Sequence, residues 1–302
     1  KLEEAIEAYK KALSLKPDYA EAHLNFCFAL LNDGKLKEGL DEYEWRRKTK
    51  KRQKAQHSFS QPMWDGMSSL KNKKILLWCE QGIGDTVCWS SGLFPLLSDA
   101  QHTILECQEK LTPLLARSFP KVEVRAANRA HEKLRDDFDI HLPMGSLYRH
   151  QTINKLSKEP NACKFLIPDP VRVNHWREHL KSLGNGPYIG ISWKSSNMSP
   201  NRMNNYAPIS AWSPVLTLPG VTLINLQYAD FVEDLAQIQN DFGITVHNFN
   251  DLDHYNNLDD VAALSAAIDI VVSIQSSVPI ISAGVGTNTK LACWRQSSWN
   301  NI

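Results

Sequence analysis

Four consecutive apolar residues, Ile75-Leu-Leu-Trp78, lead into Gly82-Ile-Gly-Asp85 and then into an apolar-periodic stretch from Val87 to Leu97. The run has the length of a buried strand and the stretch has helical spacing, so this region reads as strand, glycine turn and helix. Such a unit presents the N–H groups of a helix N-terminus at the edge of a parallel sheet, where open α/β sheets bind ligands. It commits the chain to the α/β class and makes Gly82, Gly84 and Asp85 the first place to look for a site.

The glycine turn is neither of the two common phosphate fingerprints. A dinucleotide-binding turn needs a third glycine three residues after the second, where this chain has Val87. A P-loop needs Gly-Lys-Ser/Thr, and here Asp85-Thr86 follows Gly84. Asp85 also puts negative charge where a phosphate would sit. Its carboxylate suits two roles: capping the free N–H groups of the helix, or acting as a catalytic base.

At 302 residues and 42% apolar, the chain has room for two or three soluble-type domains. A net charge of +1 gives no global field toward nucleic acid or membrane. No apolar run approaches the length of a membrane span, and no signal-peptide pattern opens the sequence. The cysteines at 27, 79, 88, 107, 163 and 293 form no C-x-x-C pair, as expected for reduced thiols in a cytoplasmic protein. No metal-ligand spacing stands out.

Leu2, Ala5, Ile6, Tyr9 and Ala12 recur as Leu36, Gly39, Leu40, Tyr43 and Arg46, a spacing of 34 residues. That is the period of helix-turn-helix tetratricopeptide arrays. Residues 1–47 resemble this family, with Leu2, Ala5, Tyr9, Ala12 and Pro17 in the expected slots. Gly39 and Arg46 stand where small apolar residues are usual, the mark of a terminal repeat. The chain opens inside a repeat, so further repeats are expected upstream. Arrays of this kind bind peptides or partner proteins in a concave groove. A remnant of one and a half repeats can equally serve only as a buttress for the next domain.

The basic run Arg46-Arg-Lys-Thr-Lys-Lys-Arg-Gln-Lys54 reads as a solvated helix end whose cations complement the helix dipole. It lacks the interleaved aromatics of a nucleic-acid surface. Residues 48–72 form a linker anchored by Trp64. Beyond it strands and helices alternate. Strands are expected at Ile75–Trp78, Thr103–Cys107, Val122–Val124 and Phe138–Leu142, with helices near 86–98, 108–118 and 128–136. After a helix at His175–Leu183 the series restarts, with strands at Tyr188–Trp193, Val221–Gln227, Ile244–Asn248 and Ile268–Ser273. Helices near 209–216, 231–240, 259–267 and 278–284 separate them. Two βαβ series imply two Rossmann-like lobes, at 73–184 and 185–302.

The motifs Trp64-Asp-Gly66, Leu77-Trp-Cys-Glu-Gln-Gly-Ile-Gly-Asp85, Gly190-Ile-Ser-Trp-Lys194, Asn225-Leu-Gln-Tyr228, Leu258-Asp-Asp-Val-Ala-Ala-Leu264 and Asp269-Ile-Val-Val-Ser273 follow one another in order. Together they resemble the glycosyltransferase-like domain that follows tetratricopeptide repeats in bacterial proteins. That domain is similar to the lipopolysaccharide heptosyltransferases and, more distantly, to O-linked N-acetylglucosamine transferases. The resemblance covers most of 62–302. It implies a GT-B fold with the acceptor side on the first lobe and a nucleotide-diphosphate sugar on the second, without cofactor or metal. By the same resemblance Asp85 is the base. Lys194, Ser195, Ser196, Arg202, Ser276 and Ser277 are then candidates to hold the diphosphate, and Gln227 and Tyr228 to line the base pocket.

The chain also departs from that pattern. Gln275 replaces a usual carboxylate, Ile280 a usual histidine and Asn205 a frequent phosphate-binding lysine. Loss of such groups weakens leaving-group stabilisation. Two functions therefore stand: a metal-independent sugar transferase, or a catalytically degenerate GT-B and tetratricopeptide protein that binds or scaffolds. A dinucleotide-dependent oxidoreductase fails on the missing glycine, and on Glu106 being the sole candidate acid at the next strand's end.

Overall fold

The computed structural model describes residues 1–53, 57–128, 132–150, 164–196 and 206–292. Its contacts fall into two compact units. One holds residues 1–107 with the described part of 121–159, and the other holds 108–120 with the described part of 160–297.

The first unit opens with the repeat helices α1 (Leu2–Leu15), α2 (Ala20–Asn32) and α3 (Leu36–Tyr43), followed by a 3-10 turn over Glu44–Lys48. Helix α2 is the central one, burying Cys27, Leu30 and Leu31 against its neighbours. Gly39 has a packing reason: a Cβ there would lie 2.6 Å from the Leu31 side chain. Only a glycine lets α3 approach α2 this closely.

The sheet of this unit is parallel, built from β1 (Lys74–Trp78), β2 (His102–Cys107), β3 (Val122–Ala126) and β4 (Ile140–Pro143) in the order β3-β2-β1-β4. Ile75, Leu76 and Leu77 are fully excluded from solvent, as a central parallel strand requires. Helix α4 (Ile83–Ser90) follows the glycine turn and continues as a 3-10 segment over Ser91–Leu96, which contains Pro95. The helix expected near 128–136 is reduced to a single 3-10 turn at Glu132–Leu134 among the described residues. There Arg135 pairs with Glu106 and Asp137 rather than continuing a helix face.

The second unit contains α5 (Thr112–Ser118), α6 (Pro170–Ser182), α7 (Val232–Phe242), α8 (Leu258–Ala267) and α9 (Ser277–Gly284). Its strands are β5 (Tyr188–Ser192), β6 (Thr222–Asn225), β7 (Val246–His247), β8 (Ile270–Ser273) and β9 (Asn288–Leu291). They form a parallel sheet in the order β7-β6-β5-β8-β9. Strand β9 was not expected from the sequence. It is a polar strand, Asn-Thr-Lys-Leu, paired among the described residues to β8 alone. Trp176 and Leu180 of α6 pack on Leu264 of α8 and Leu226 on one face of the sheet, while Trp193, Trp212 and Ile238 cover the other. Asp169 caps α6 by accepting from the Val171 and Arg172 N–H groups, and Pro170 takes the first helical position. Among the described residues no helix is long and apolar enough to cross a membrane.

Candidate functional site

In the first sheet β1 lies between β2 and β4, and in the second β5 lies between β6 and β8. The chain order therefore reverses beside β1 in one unit and beside β5 in the other. Loops leaving the strand ends at such a switch point diverge and leave a crevice for ligands.

In the second unit, β5 and β8 pair in parallel with Ser192 opposite Ser273. This register brings the loop Trp193–Ser196 beside the turn Ile274–Ser276 that enters α9. Ser276 caps that helix, its hydroxyl accepting from the Val278 N–H at 3.3 Å. Ser276 and Ser277 remain partly accessible at the helix N-terminus, and Ser196 on the facing loop is exposed. Ser195 is buried and shares a 2.5 Å hydrogen bond with the Tyr206 hydroxyl. Lys194 is not a bare cation. Its Nζ lies 2.5 Å from Asp234 Oδ2, and the same carboxylate accepts from Trp193 Nε1 at 2.8 Å. Asp234 sits in the first turn of α7, where a carboxylate also suits the helix dipole. The sequence reading did not single it out; the Glu233-Asp234 pair opening an amphipathic helix was the available signal.

Gln227, expected in a base pocket, is fully buried and serves the loop instead. Its Oε1 accepts from the Trp193 and Lys194 N–H groups, both at 3.0 Å, and its Nε2 donates to the Lys194 carbonyl at 2.8 Å. Asn225 holds the Gln227 N–H and donates in turn to Asn248. The result is a polar network along the ends of β5, β6 and β7. Tyr228 is half-buried and packs on the core beneath α6. Arg202 and Asn205 lie outside the described residues. Ile280 and Gln275 are partly exposed at the start of α9 and in the turn before it. A cavity of about 640 Å³ opens at the other end of this sheet, where Ile268 and Asp269 precede β8 and Gly286 and Thr287 precede β9.

In the first unit, Asp85 is the third residue of α4 and its carboxylate accepts from the Gly82 N–H at 3.2 Å. The capping role is therefore exercised from inside the first turn, with Gly82 as the N-cap. Glycine has no side chain to return the bond, so half of a capping box is present. Asp85 stays partly accessible beside Gly82 and Gly84.

The neighbouring turn is gripped by the repeats. Arg46 is 1% exposed, which corrects the expectation that the basic run is a solvated helix end. Its Nε and Nη2 both donate to Glu80 Oε1, at 2.9 and 2.5 Å, and Nη1 donates to Glu44 and to the Tyr43 carbonyl. Nη2 also reaches Ser146 after β4. Burial opposes the charge of Arg46, but Glu80 and then Glu44 outweigh it and hold the guanidinium firmly protonated. Arg52 donates to the Glu80 carbonyl, and Gln81 donates to the Tyr43 hydroxyl at 2.6 Å. An arginine from the repeat segment thus sits between the turn after β1 and the turn after β4. Gly145 is required there, since a Cβ would stand 2.7 Å from Glu80 Oε1.

Glu106, the one acid considered for a ribose, is 1% exposed and held by Arg125 at 3.0 Å and Arg135 at 2.9 Å. The thiols are equally committed: burial raises Cys27 to about 12 and Cys88 to about 11, so neither is a thiolate at neutral pH.

A family model described as TPR repeat matches residues 1–34. Protein FlbA of Caulobacter vibrioides is 32% identical over 311 residues, an alignment covering 98% of this chain and 52% of that protein. The chain thus spans about half the length of this curated relative. Among solved structures, the glycosyl transferase family 9 protein from Veillonella parvula DSM 2008 superposes with a TM-score of 0.55 at 12% identity, covering 74% of this chain and 81% of that one. The likeness at that identity is one of fold. Tetratricopeptide helices followed by two Rossmann-like sheets of the GT-B, glycosyltransferase-like fold are therefore what this chain is built from.

Proposed function

We propose that the protein is a metal-independent glycosyltransferase that moves a sugar from a nucleotide-diphosphate donor to an acceptor hydroxyl. The observation that carries this reading is the in-register pairing of Ser192 with Ser273, which sets the Lys194–Ser196 loop beside the Ser276-capped N-terminus of α9. Backbone N–H groups at a helix start, hydroxyls and an ammonium are the groups that stabilise a departing diphosphate. In this scheme Lys194, Ser196, Ser276 and Ser277 hold the diphosphate, with Arg202 as a further cation. Asp85 removes the proton from the acceptor hydroxyl as it attacks the anomeric carbon. Lys194 exchanges its bond to Asp234 for the phosphate, and Asp234 keeps Trp193 in place. The repeats offer a surface for a protein or peptide partner.

The ion pair of Lys194 with Asp234 also favours a second reading, a degenerate relative that binds without catalysing. Calorimetric titration of UDP, GDP, ADP and CMP, free and sugar-linked, into wild type and Lys194→Ala separates the two. Micromolar binding of one nucleotide sugar, weakened at least tenfold by the substitution, supports a donor site. A transfer assay with Asp85→Asn then reads catalysis, with a loss of at least a hundredfold expected while binding persists. No binding by folded protein would overturn the transferase.

A further inference from the structure

His175 and His179 lie one helical turn apart on α6, so both side chains leave the same face. Asp251, in the loop after β7, reaches the same place. One donor atom from each of the three lies within 4.8 Å of the other two. The two elements are held together by aromatic contacts. Trp176, between the histidines, packs on Phe249 with ring centroids 5.0 Å apart, and the His179 ring meets Phe249 edge-on at 6.1 Å. The helix and the loop are therefore held together by packing, while His175 and Asp251 are exposed.

The hydrogen bonding of His179 prepares it as a ligand. Its Nδ1 lies 3.2 Å from the carbonyl oxygen of His175. A carbonyl only accepts, so Nδ1 carries the proton and Nε2 keeps its lone pair. This is the outer-shell bond that orients metal-binding imidazoles. Among the described residues neither Nε2 of His179 nor the Asp251 carboxylate has a hydrogen-bond or ion-pair partner. Two imidazoles and a carboxylate converge, yet no direct bond joins them.

We propose that His175, His179 and Asp251 bind one divalent transition-metal ion, zinc fitting best, which staples α6 to the loop after β7. Two nitrogens and one oxygen suit zinc with water as a fourth ligand, whereas magnesium and calcium prefer all-oxygen shells. Zinc at ~2.0–2.1 Å from each donor draws the donors to roughly 3.3 Å from one another. Rotation of the exposed His175 and Asp251 side chains supplies that closure. The loop it would fasten also carries Asn248, which accepts from Asn225 in the network that ends at Gln227. The staple is independent of the sugar-transfer chemistry proposed above.

The test is calorimetric titration of zinc into the full chain after metal removal, with wild type, His175→Ala, His179→Ala and Asp251→Asn. One zinc per chain at micromolar or tighter affinity is expected, weakened at least tenfold in each histidine variant. Zinc should raise the melting temperature of wild type but not of the His175→Ala/His179→Ala double variant, and magnesium should do neither. His175 is exposed, so its alanine variant keeps the fold and carries the test if His179→Ala unfolds. Failure to bind zinc below millimolar concentration overturns the proposal, as does unchanged affinity in the double variant. Cobalt substitution gives a second readout: an intense thiolate-to-cobalt band would assign the metal to cysteines and overturn the site.

Discussion

The Arg46 guanidinium meets the Glu80 carboxylate at 2.5 Å with side chains only 2% and 6% exposed, so the repeat segment and the turn after β1 share one buried ion pair. Removing Arg46 strands the Glu80 charge in a dry site, which costs about 3–5 kcal/mol, whereas removing Glu80 leaves Arg46 paired with Glu44. Arg46→Ala should therefore lower the urea midpoint by a large amount, and Glu80→Ala by a smaller one. The double variant should be less destabilised than the sum of the two, because the second substitution removes a charge already orphaned. Additive effects in a double-mutant cycle would show that the pair is not coupled.

Gly145→Ala should be destabilising by about 1–3 kcal/mol although it adds a single methyl. The new Cβ would stand 2.7 Å from Glu80 Oε1, 3.0 Å from Gln81 Nε2 and 3.1 Å from Arg46 Nη2, all of them pinned atoms. Thermal melting measures it directly; an unchanged melting temperature would mean that this hub yields.

Gln227→Ala should cost about 2–4 kcal/mol, because it leaves the Trp193 and Lys194 N–H groups and the Lys194 carbonyl without their buried partner. It should also weaken nucleotide-sugar binding at least tenfold by loosening the loop, an effect that calorimetry can read alongside stability. Stability lost with affinity intact would separate the loop from the site.

Acid should destabilise both units before most carboxylates titrate. Burial, with smaller contributions from His57 and Arg47, lowers His141 from 6.5 to about 4. Its Nδ1 must also stay unprotonated to accept from Trp78 Nε1 at 3.2 Å. Burial likewise lowers His254 to about 4, against a small opposing effect of Asp253. Unfolded imidazoles take up protons near pH 6.5 and these folded ones only near pH 4. Their contribution is therefore complete above pH 6.5 and is lost as pH falls toward 4, by about 2 kcal/mol each after screening. Urea midpoints measured from neutral pH to about pH 4 should fall through that window, and His254→Gln should flatten the fall.

The parts of the fold that the sequence reveals are those written in apolar periodicity. Ile75–Trp78 is a buried central strand because a parallel sheet covered on both faces needs an unbroken apolar run. Strand β9 escaped notice because a strand with one neighbour among the described residues can be polar, and Asn-Thr-Lys-Leu carries no such run. Arg46 shows the limit most clearly. A basic run reads as solvated surface, and nothing local says that its first residue turns inward to meet Glu80, 34 positions away. Gln227 was found, but its task was not: a glutamine at a strand end offers a bond to a ligand or to the chain itself, and only the fold chooses. The i, i+4 pair His175 and His179 does not stand out as a ligand pair by itself, because the third donor, Asp251, comes from a separate loop that only the fold brings near.

The arginine lodged beside β1 also fixes where this protein can be cut. A fragment starting after Tyr43 would still carry Arg46 but lose the tyrosine that Gln81 grips, and one starting after Arg46 would bare Glu80, Ser146 and a cramped Gly145 to water. The last repeat helix is thus a cornerstone of the sheet it precedes. Any exchange of repeats, by recombination or in the laboratory, has to splice upstream of α3 and carry Tyr43 through Arg46 along with the sheet.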